Sequence, residues 1–338
     1  MLLKDKVVII SGIGPGLGQE LAYGASENGA KCVLAARTQE KLDQVKEEIE
    51  KSGNEAICVP TDITDPDDCK KLLNMTLDKF GKVDCLFNSA YRPGDFKEFK
   101  DSDLDDWMAT MKTNFFGTMT LTKMVADQMN NDSGGSIVMV NSLITKKPLP
   151  TQGGYAASKG ALTAATKILA KELGPFGIRL NSVYMGWMWG PPVEGYVNST
   201  AEMMNIKPED LVKEITKDIP LGIIPDDRDC ANAVLFLASD LAKVITGANL
   251  DVNGDLTITS GTLDASTSNH DIAVGGDWTN NGSFISRSGT VTFDNNSNVF
   301  SGGTGASNDF NDVVLSGSAG SQSDNMKVNG DFTISSSG

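Results

Sequence analysis

Two residues in the stretch GGYAASKG can do chemistry together. Tyr155 and Lys159 stand four positions apart at the start of a helical pattern, which places them on one face. A phenol has an ordinary pKa of about 10, too high for proton exchange near neutral pH. An ammonium ~4 Å away contributes about 4 kcal/mol at an effective dielectric of ~20, enough to bring the phenol near 7. The chemistry expected of the pair is general acid–base catalysis by a tyrosine with a cation close by. A Y-x-x-x-K pair is common by chance, so its weight comes from its neighbours. Ser142 closes the apolar run SIVMVNS, thirteen residues before Tyr155, and Asn88 closes the run VDCLFN. Asn114 sits within DLDDWMATMKTNFFGTMTLTKMVADQM, read as one helix whose middle could face the same crevice.

The elements that must position these residues are legible in residues 1–251. KVVIIS, KCVLAA, AICVP, VDCLFN, SIVMVN and IRLNSVY are apolar runs of strand length, separated by helical segments such as QEKLDQVKEEIEKSG. Alternation of this kind predicts βαβ units, hence an α/β fold with a Rossmann-type, doubly wound parallel sheet. The carboxyl ends of such strands line the ligand crevice, which is where Asn88 and Ser142 fall. The first strand runs into SGIGPGLG, and a helix follows. Gly12, Gly16 and Gly18 allow a tight turn, close backbone approach to a pyrophosphate and packing of helix on strand, with the helix N-terminus facing the anion. Arg37 follows the second strand, where an acidic residue would favour NAD; an arginine there suits a 2′-phosphate, so NADP is favoured, with NAD as the alternative.

Composition excludes several classes. The net charge of −15 argues against nucleic-acid or anionic-membrane binding. The one histidine, His270, excludes a His-based triad or a multi-His metal site, and no metal is expected. The five cysteines form no C-x-x-C pair, which reads as small buried hydrophobes in a reducing compartment. No apolar stretch is long enough to span a membrane and no secretory signal is evident, so a cytoplasmic location is expected.

The chain has two compositions. All twelve prolines lie at or before Pro225, all five cysteines at or before Cys230, and the last glutamate is Glu214. From Val252 onward the chain is dominated by Gly, Ser, Asn and Thr and carries seven of the fifteen net negative charges. VNGDLTITS at 252–260 returns as VNGDFTISS at 328–336 with seven of nine positions identical, and VGGDWTNNG at Val274 is a weaker echo. This reads either as stacked β-turn units of a solenoid or as a low-complexity linker; the unequal spacings, 22 and then 54 residues, weigh against the solenoid.

Taken together, residues 1 to about 254 resemble the single-domain branch of the short-chain dehydrogenase/reductase family. The family's T-G-x-x-x-G-x-G appears as SGIGPGLG, its N-N-A-G as NSAY (Asn88 to Tyr91), and its closing D-V-N-G-G as DVNGD. Its Asn-Ser-Tyr-Lys active site matches Asn114, Ser142, Tyr155 and Lys159. The resemblance implies Tyr155 as general acid/base, Lys159 lowering its pKa and holding the nicotinamide ribose, Ser142 bonding the substrate oxygen, and Asn114 anchoring a water. It further implies cofactor contacts at Ser11, Gly12, Gly16, Leu17, Gly18, Arg37, Asp62, Ile63, Asn88, Tyr155, Lys159 and Gly186, with Asp62 at the adenine. The lid region opens with Trp187, Met188 and Trp189, and Trp187 and Trp189 are the candidate substrate residues for a hydrophobic ketone or alcohol, unless they pack onto the protein's own core. A homo-oligomer is implied as well. Departures are Tyr91 for a glycine, Pro15 inside the loop, Met185 for a proline and Gly190 for a threonine. The expected domains are a reductase, 1–254, and a β-repeat tail, 255–338, which resembles bacterial surface β-repeat segments. The competing readings are a surface or adhesive β-repeat protein with an idle Rossmann domain, and a chimeric chain whose tail has no role.

Overall fold

In the computed structural model of the chain, the run VVIIS becomes β1 (Val7–Ser11), buried at every residue. A strand covered on both faces needs such an unbroken apolar run. The structure describes residues 1–131, 134–217, 219, 221–252, 256–258, 262–264, 272–274, 278–280, 283–286, 288, 290–293, 299–301, 310–316, 321–322 and 328–335. The Gly254/Asp255 boundary and His270 lie outside the described residues.

The βαβ alternation is realised. After β1 come α1 (Leu17–Glu27), β2 (Lys31–Ala36), α2 (Gln39–Lys51), β3 (Ala56–Pro60), α3 (Pro66–Phe80) and β4 (Cys85–Asn88). Then follow α4 (Leu104–Met111), α5 (Thr118–Asn131), β5 (Gly135–Ser142), α6 (Gly153–Leu173) and β6 (Ile178–Met185). Next are α7 (Pro191–Met204), α8 (Pro208–Thr216), α9 (Asp227–Ala238) and β7 (Asn249–Val252). Local signals set the boundaries. In α3 the Asp65 carboxylate accepts from Asp67 N at 2.9 Å, Pro66 opens the first turn, and Gly81 closes the helix at φ 77°. The parallel sheet has seven strands in the order β3-β2-β1-β4-β5-β6-β7. The order reverses between β1 and β4, which is the topological switch point of a doubly wound sheet. Val7, Ile9, Val33, Leu86, Ile137, Leu121, Leu162 and Leu180 belong to one core cluster in which strands meet the helices.

One expected helix is broken by a change of pitch. Between α4 and α5 the segment Lys112–Gly117 is a π-turn, and Asn114 lies within it. Such turns are rare and concentrate at functional positions.

The chain packs as two units: Met1–Tyr184 with Asp227–Lys243, and Met185–Asp226 with Val244–Gly338. In the second unit α7 and α8 share a small core of Val197, Ala201 and Leu211. The same unit holds short parallel ladders. One joins β8 (Leu256–Ile258), β11 (Trp278–Asn280), β14 (Val299–Ser301) and β16 (Ser321–Gln322); another pairs β9 (Thr262–Asp264) with β12 (Ser283–Ile285); the third joins β10 (Ile272–Val274), β13 (Thr290–Phe293), β15 (Asp312–Ser316) and β17 (Phe332–Ser335). Registers such as Leu256 with Trp278, Thr262 with Ser283, and Ile272 with Val291 give steps of 22, 21 and 19 residues, the signature of a coiling parallel chain. The rings of Trp278, Phe284 and Phe310 meet with centroids 4.9, 5.1 and 5.4 Å apart and are buried. The uneven repeat spacing now has a physical reason. The copies that begin at Val252 and Val274 are successive rungs of one ladder, whereas the copy that begins at Val328 falls on β17 in a different sheet.

Candidate active site

The strand ends place the site. Ser11 lies level with Ala35 on one side and Asn88 on the other, and Asn88 lies level with Met139. β5 therefore runs three residues past its neighbour and carries Ser142 out at the carboxyl edge of the sheet.

α6 brings Tyr155 to that edge. Gly153 and Gly154 open the helix against the indole of Trp107; a methyl on Gly154 would stand 2.9 Å from the ring. This close approach seats the first turn of α6 on α4. The Ser142 hydroxyl lies close enough to the Tyr155 phenol to lower its pKa. Its Oγ also accepts from Ile144 N at 3.2 Å, which orients the hydroxyl. Lys159 is buried one turn on, with Nζ 5.7 Å from the Tyr155 ring centroid and donating to Val140 O at 2.8 Å. Burial pushes the Tyr155 phenol above its ordinary value, partly offset by the Ser142 hydroxyl. Burial likewise pulls Lys159 down to about 8. The expectation that Lys159 brings the phenol near 7 does not match this geometry. Desolvation acts on both groups and drives each toward its neutral form.

Asn114 is a strut. Its Oδ1 accepts from Arg92 N at 2.7 Å, while Nδ2 donates to Arg92 O at 3.0 Å and to Ser158 Oγ at 2.9 Å. Ser158 Oγ in turn donates to Tyr155 O at 2.7 Å. Both side-chain donors of Asn114 are thus spent on tying the loop after β4 to α6. A second hub is Thr163, whose hydroxyl donates to Lys159 O at 2.9 Å and accepts from Asn141 Nδ2 at 3.0 Å and Tyr184 Oη at 2.9 Å. Arg92, Asn141, Ser158 and Thr163 escaped the reading of the sequence. Only Thr163 left a signal there, continuing the four-residue step of Tyr155 and Lys159.

The loop between β1 and α1 forms a backbone cradle. Gly16 stands at φ 95°, and as the N-cap of α1 it supplies no side-chain cap, so the helix begins with bare N–H groups. A methyl on Gly18 would lie 2.2 Å from Gly12 O, whereas one on Gly14 would meet nothing within 4 Å. Leu17, the first residue of α1, is buried, as is Ile63. Ser11 spends its hydroxyl on Phe87 O at 3.3 Å and its carbonyl on Ser89 N at 3.1 Å. Arg37 is exposed just beyond β2, and together with Lys112 it lies within electrostatic reach of Asp62. Burial alone would raise the Asp62 carboxyl; bonds from Thr64 N and Oγ1, then Arg37 and Lys112, leave it below its ordinary value. Asn88 is buried, donates to Thr122 Oγ1 at 3.0 Å, and its Oδ1 has no partner among the described residues. An orphaned buried acceptor, a glycine cradle with one open face, and a buried lysine that uses one of its three donors on Val140 all suit a polar cofactor.

Gly186, Trp187 and Trp189 belong to the second unit. There Trp187 packs on Tyr196 with centroids 5.4 Å apart, and Trp189 N donates to Pro225 O at 2.7 Å. Gly190 caps α7 in extended conformation, with Pro191 next. Tyr91 is not among the residues of positive φ, so tyrosine replaces the family glycine without backbone strain. Among the described residues no cluster of His, Cys, Asp or Glu could hold a metal, and no helix is long and apolar enough to cross a membrane.

Comparison with known proteins agrees with this geometry. The family model for short chain dehydrogenase matches residues 6–200. A 3-oxoacyl-(acyl-carrier-protein) reductase of Staphylococcus epidermidis is 31% identical over 255 residues, covering 75% of this chain and 99% of the relative. Among solved structures, an NAD+-bound xylitol dehydrogenase superposes with a TM-score of 0.70 at 26% identity, covering 75% of this chain and 100% of that one. A variant actinorhodin polyketide ketoreductase with NADPH gives 0.69 at 27%, covering 74% and 96%. The chain belongs to the short chain dehydrogenase family, the NAD(P)-dependent oxidoreductases that act on CH–OH groups.

Proposed function

We propose that residues 1–254 form an NADP-dependent ketone reductase in which Tyr155 is the general acid/base and Ser142, Lys159 and Asn114 complete the site. The observation that carries this is the buried Lys159 with its Nζ 5.7 Å from the Tyr155 ring centroid, and Ser142 beside that phenol, at the carboxyl edge of β5. The Gly12–Gly18 loop, Leu17 included, and the start of α1 would hold the pyrophosphate, and Arg37 the 2′-phosphate. Asp62 and Ile63 would meet the adenine, Asn88 and Lys159 the riboses, and Gly186 the nicotinamide. When bound, the nicotinamide supplies a hydride. Tyr155, its phenol held above the ordinary value by burial, keeps its proton at neutral pH and donates it to the carbonyl oxygen. Ser142, its Oγ oriented by the bond from Ile144 N, would turn its O–H from the phenol to the same oxygen. Asn114 holds the two halves of the site in register through Arg92 and Ser158.

Trp187 and Trp189 are offered as substrate residues for a hydrophobic ketone or secondary alcohol. The five cysteines, buried or half-buried thiols, support a reducing, cytoplasmic setting, and a homo-oligomer accords with the family. Residues 255–338 are assigned no part in the reaction.

NADPH at millimolar concentration should raise the thermal midpoint of the chain. Carbonyl turnover should be lost in Tyr155→Phe. No shift with NADPH, or a fully active Tyr155→Phe chain, overturns the reading.

A further inference from the structure

Tyr91 has no role in the reaction described above, yet its ring meets the Tyr155 phenol ring edge to face, with centroids 6.3 Å apart and planes at 64°. The meeting is built from below. Arg92 N and O are both hydrogen-bonded to the Asn114 amide, which also donates to Ser158 Oγ, and Ser158 donates to Tyr155 O. Asn114 and Ser158 therefore set where the chain leaves toward Tyr91 and toward Tyr155 at once. A tyrosine that served only packing would be covered, as Tyr184 is at 0% exposure; Tyr91 is 54% exposed. A large ring is thus held against the reacting phenol with about half of its surface open. The family motif has a glycine here, which would leave this side of the phenol bare.

We propose that Tyr91 is a specificity-determining residue whose open ring receives the planar part of a ring-bearing ketone or alcohol while the carbonyl reaches Tyr155 and Ser142. The inference rests on the assignment of Tyr155 as acid/base. Stacked and edge-to-face aromatic contacts favour planar partners beyond simple burial, by an amount that corresponds to roughly three- to tenfold in kcat/KM. A straight-chain ketone of equal size has no planar face to gain this from.

The test uses the full chain with NADPH and two matched series: acetophenone, propiophenone and indanone against 2-octanone and 2-nonanone. The readout is the ratio of aryl to straight-chain kcat/KM, which is independent of the fraction of active enzyme. Tyr91→Gly and Tyr91→Leu should lower that ratio by roughly three- to tenfold, chiefly through a raised KM for the aryl ketones, and Tyr91→Phe should keep it. A ratio unchanged in Tyr91→Gly and Tyr91→Leu overturns the proposal. So does a ratio that falls as far in Tyr91→Phe, which would assign the effect to the hydroxyl. Tyr155→Phe, run alongside, separates the two readings. If it retains turnover, or if the unaltered chain reduces neither series, the acid/base assignment itself falls and this inference with it.

Discussion

Lys159 should destabilise the fold at neutral pH, and by a measurable amount. It is 4% exposed, and burial lowers it from an ordinary 10.5 to about 8. Between those values the unfolded chain holds a proton that the native chain has lost. The unfolded state then binds more protons, so stability rises with pH across the window from about 8 to 10.5. Below 8 both states are charged and the full penalty, about 3 kcal/mol, is present. Lys159→Met removes the titration. It also leaves Val140 O without its 2.8 Å donor, a loss of about 1–3 kcal/mol that does not depend on pH. The absolute stability of the variant at pH 7 is therefore a near balance, but the pH dependence is not. The stability of Lys159→Met relative to the unaltered chain should fall by roughly 2–3 kcal/mol between pH 7 and pH 10. Other groups titrate in the same window, among them Cys58 and Cys69, raised by burial to about 11, but they cancel in the difference. Urea unfolding followed at the helical circular-dichroism band suits the measurement, because every helix among the described residues precedes Lys243. A difference that stays constant from pH 7 to pH 10 would refute the claim that Lys159 is held in a desolvated site.

Three other outcomes are expected. Tyr155→Phe should lower ketone reduction by roughly 10²- to 10⁴-fold while keeping the thermal shift with NADPH, a combination that separates proton donation from cofactor binding. Arg37→Ala should raise the KM for NADPH by roughly ten- to hundredfold, as the loss of a charge-assisted contact implies, with NADH little affected; equal losses with both cofactors would remove Arg37 from the 2′-phosphate. Gly18→Ala places a methyl 2.2 Å from Gly12 O and should cost about 1–3 kcal/mol or more, whereas Gly14→Ala meets open space and should stay within about 0.5 kcal/mol, a contrast that thermal unfolding reads directly.

Much of this protein was determined by local order in the chain. The apolar run VVIIS, the glycine turn behind it and the four-residue step from Tyr155 to Lys159 each act over fewer than ten residues, so period and turn chemistry reveal them. The strand-end positions of Asn88 and Ser142 follow from the same alternation. The break in composition after Val252 is equally a property of the chain alone.

What only the tertiary structure decided are quantities that depend on distant partners. Asn114 became a strut through Arg92 and Ser158, which lie 22 and 44 residues away in sequence. The π-turn that carries it interrupts a pattern whose periodicity reads as one helix. The third copy of the tail repeat lies in a different sheet, whose steps run 19, 22 and 19 residues while the ladder of the first two copies steps by 22 throughout, a phase that no short string contains. Above all, the direction of the Tyr155 phenol depended on burial. The spacing to Lys159 places a cation near it, but how much water remains around both groups depends on what packs over them, and desolvation raises the phenol and lowers the ammonium.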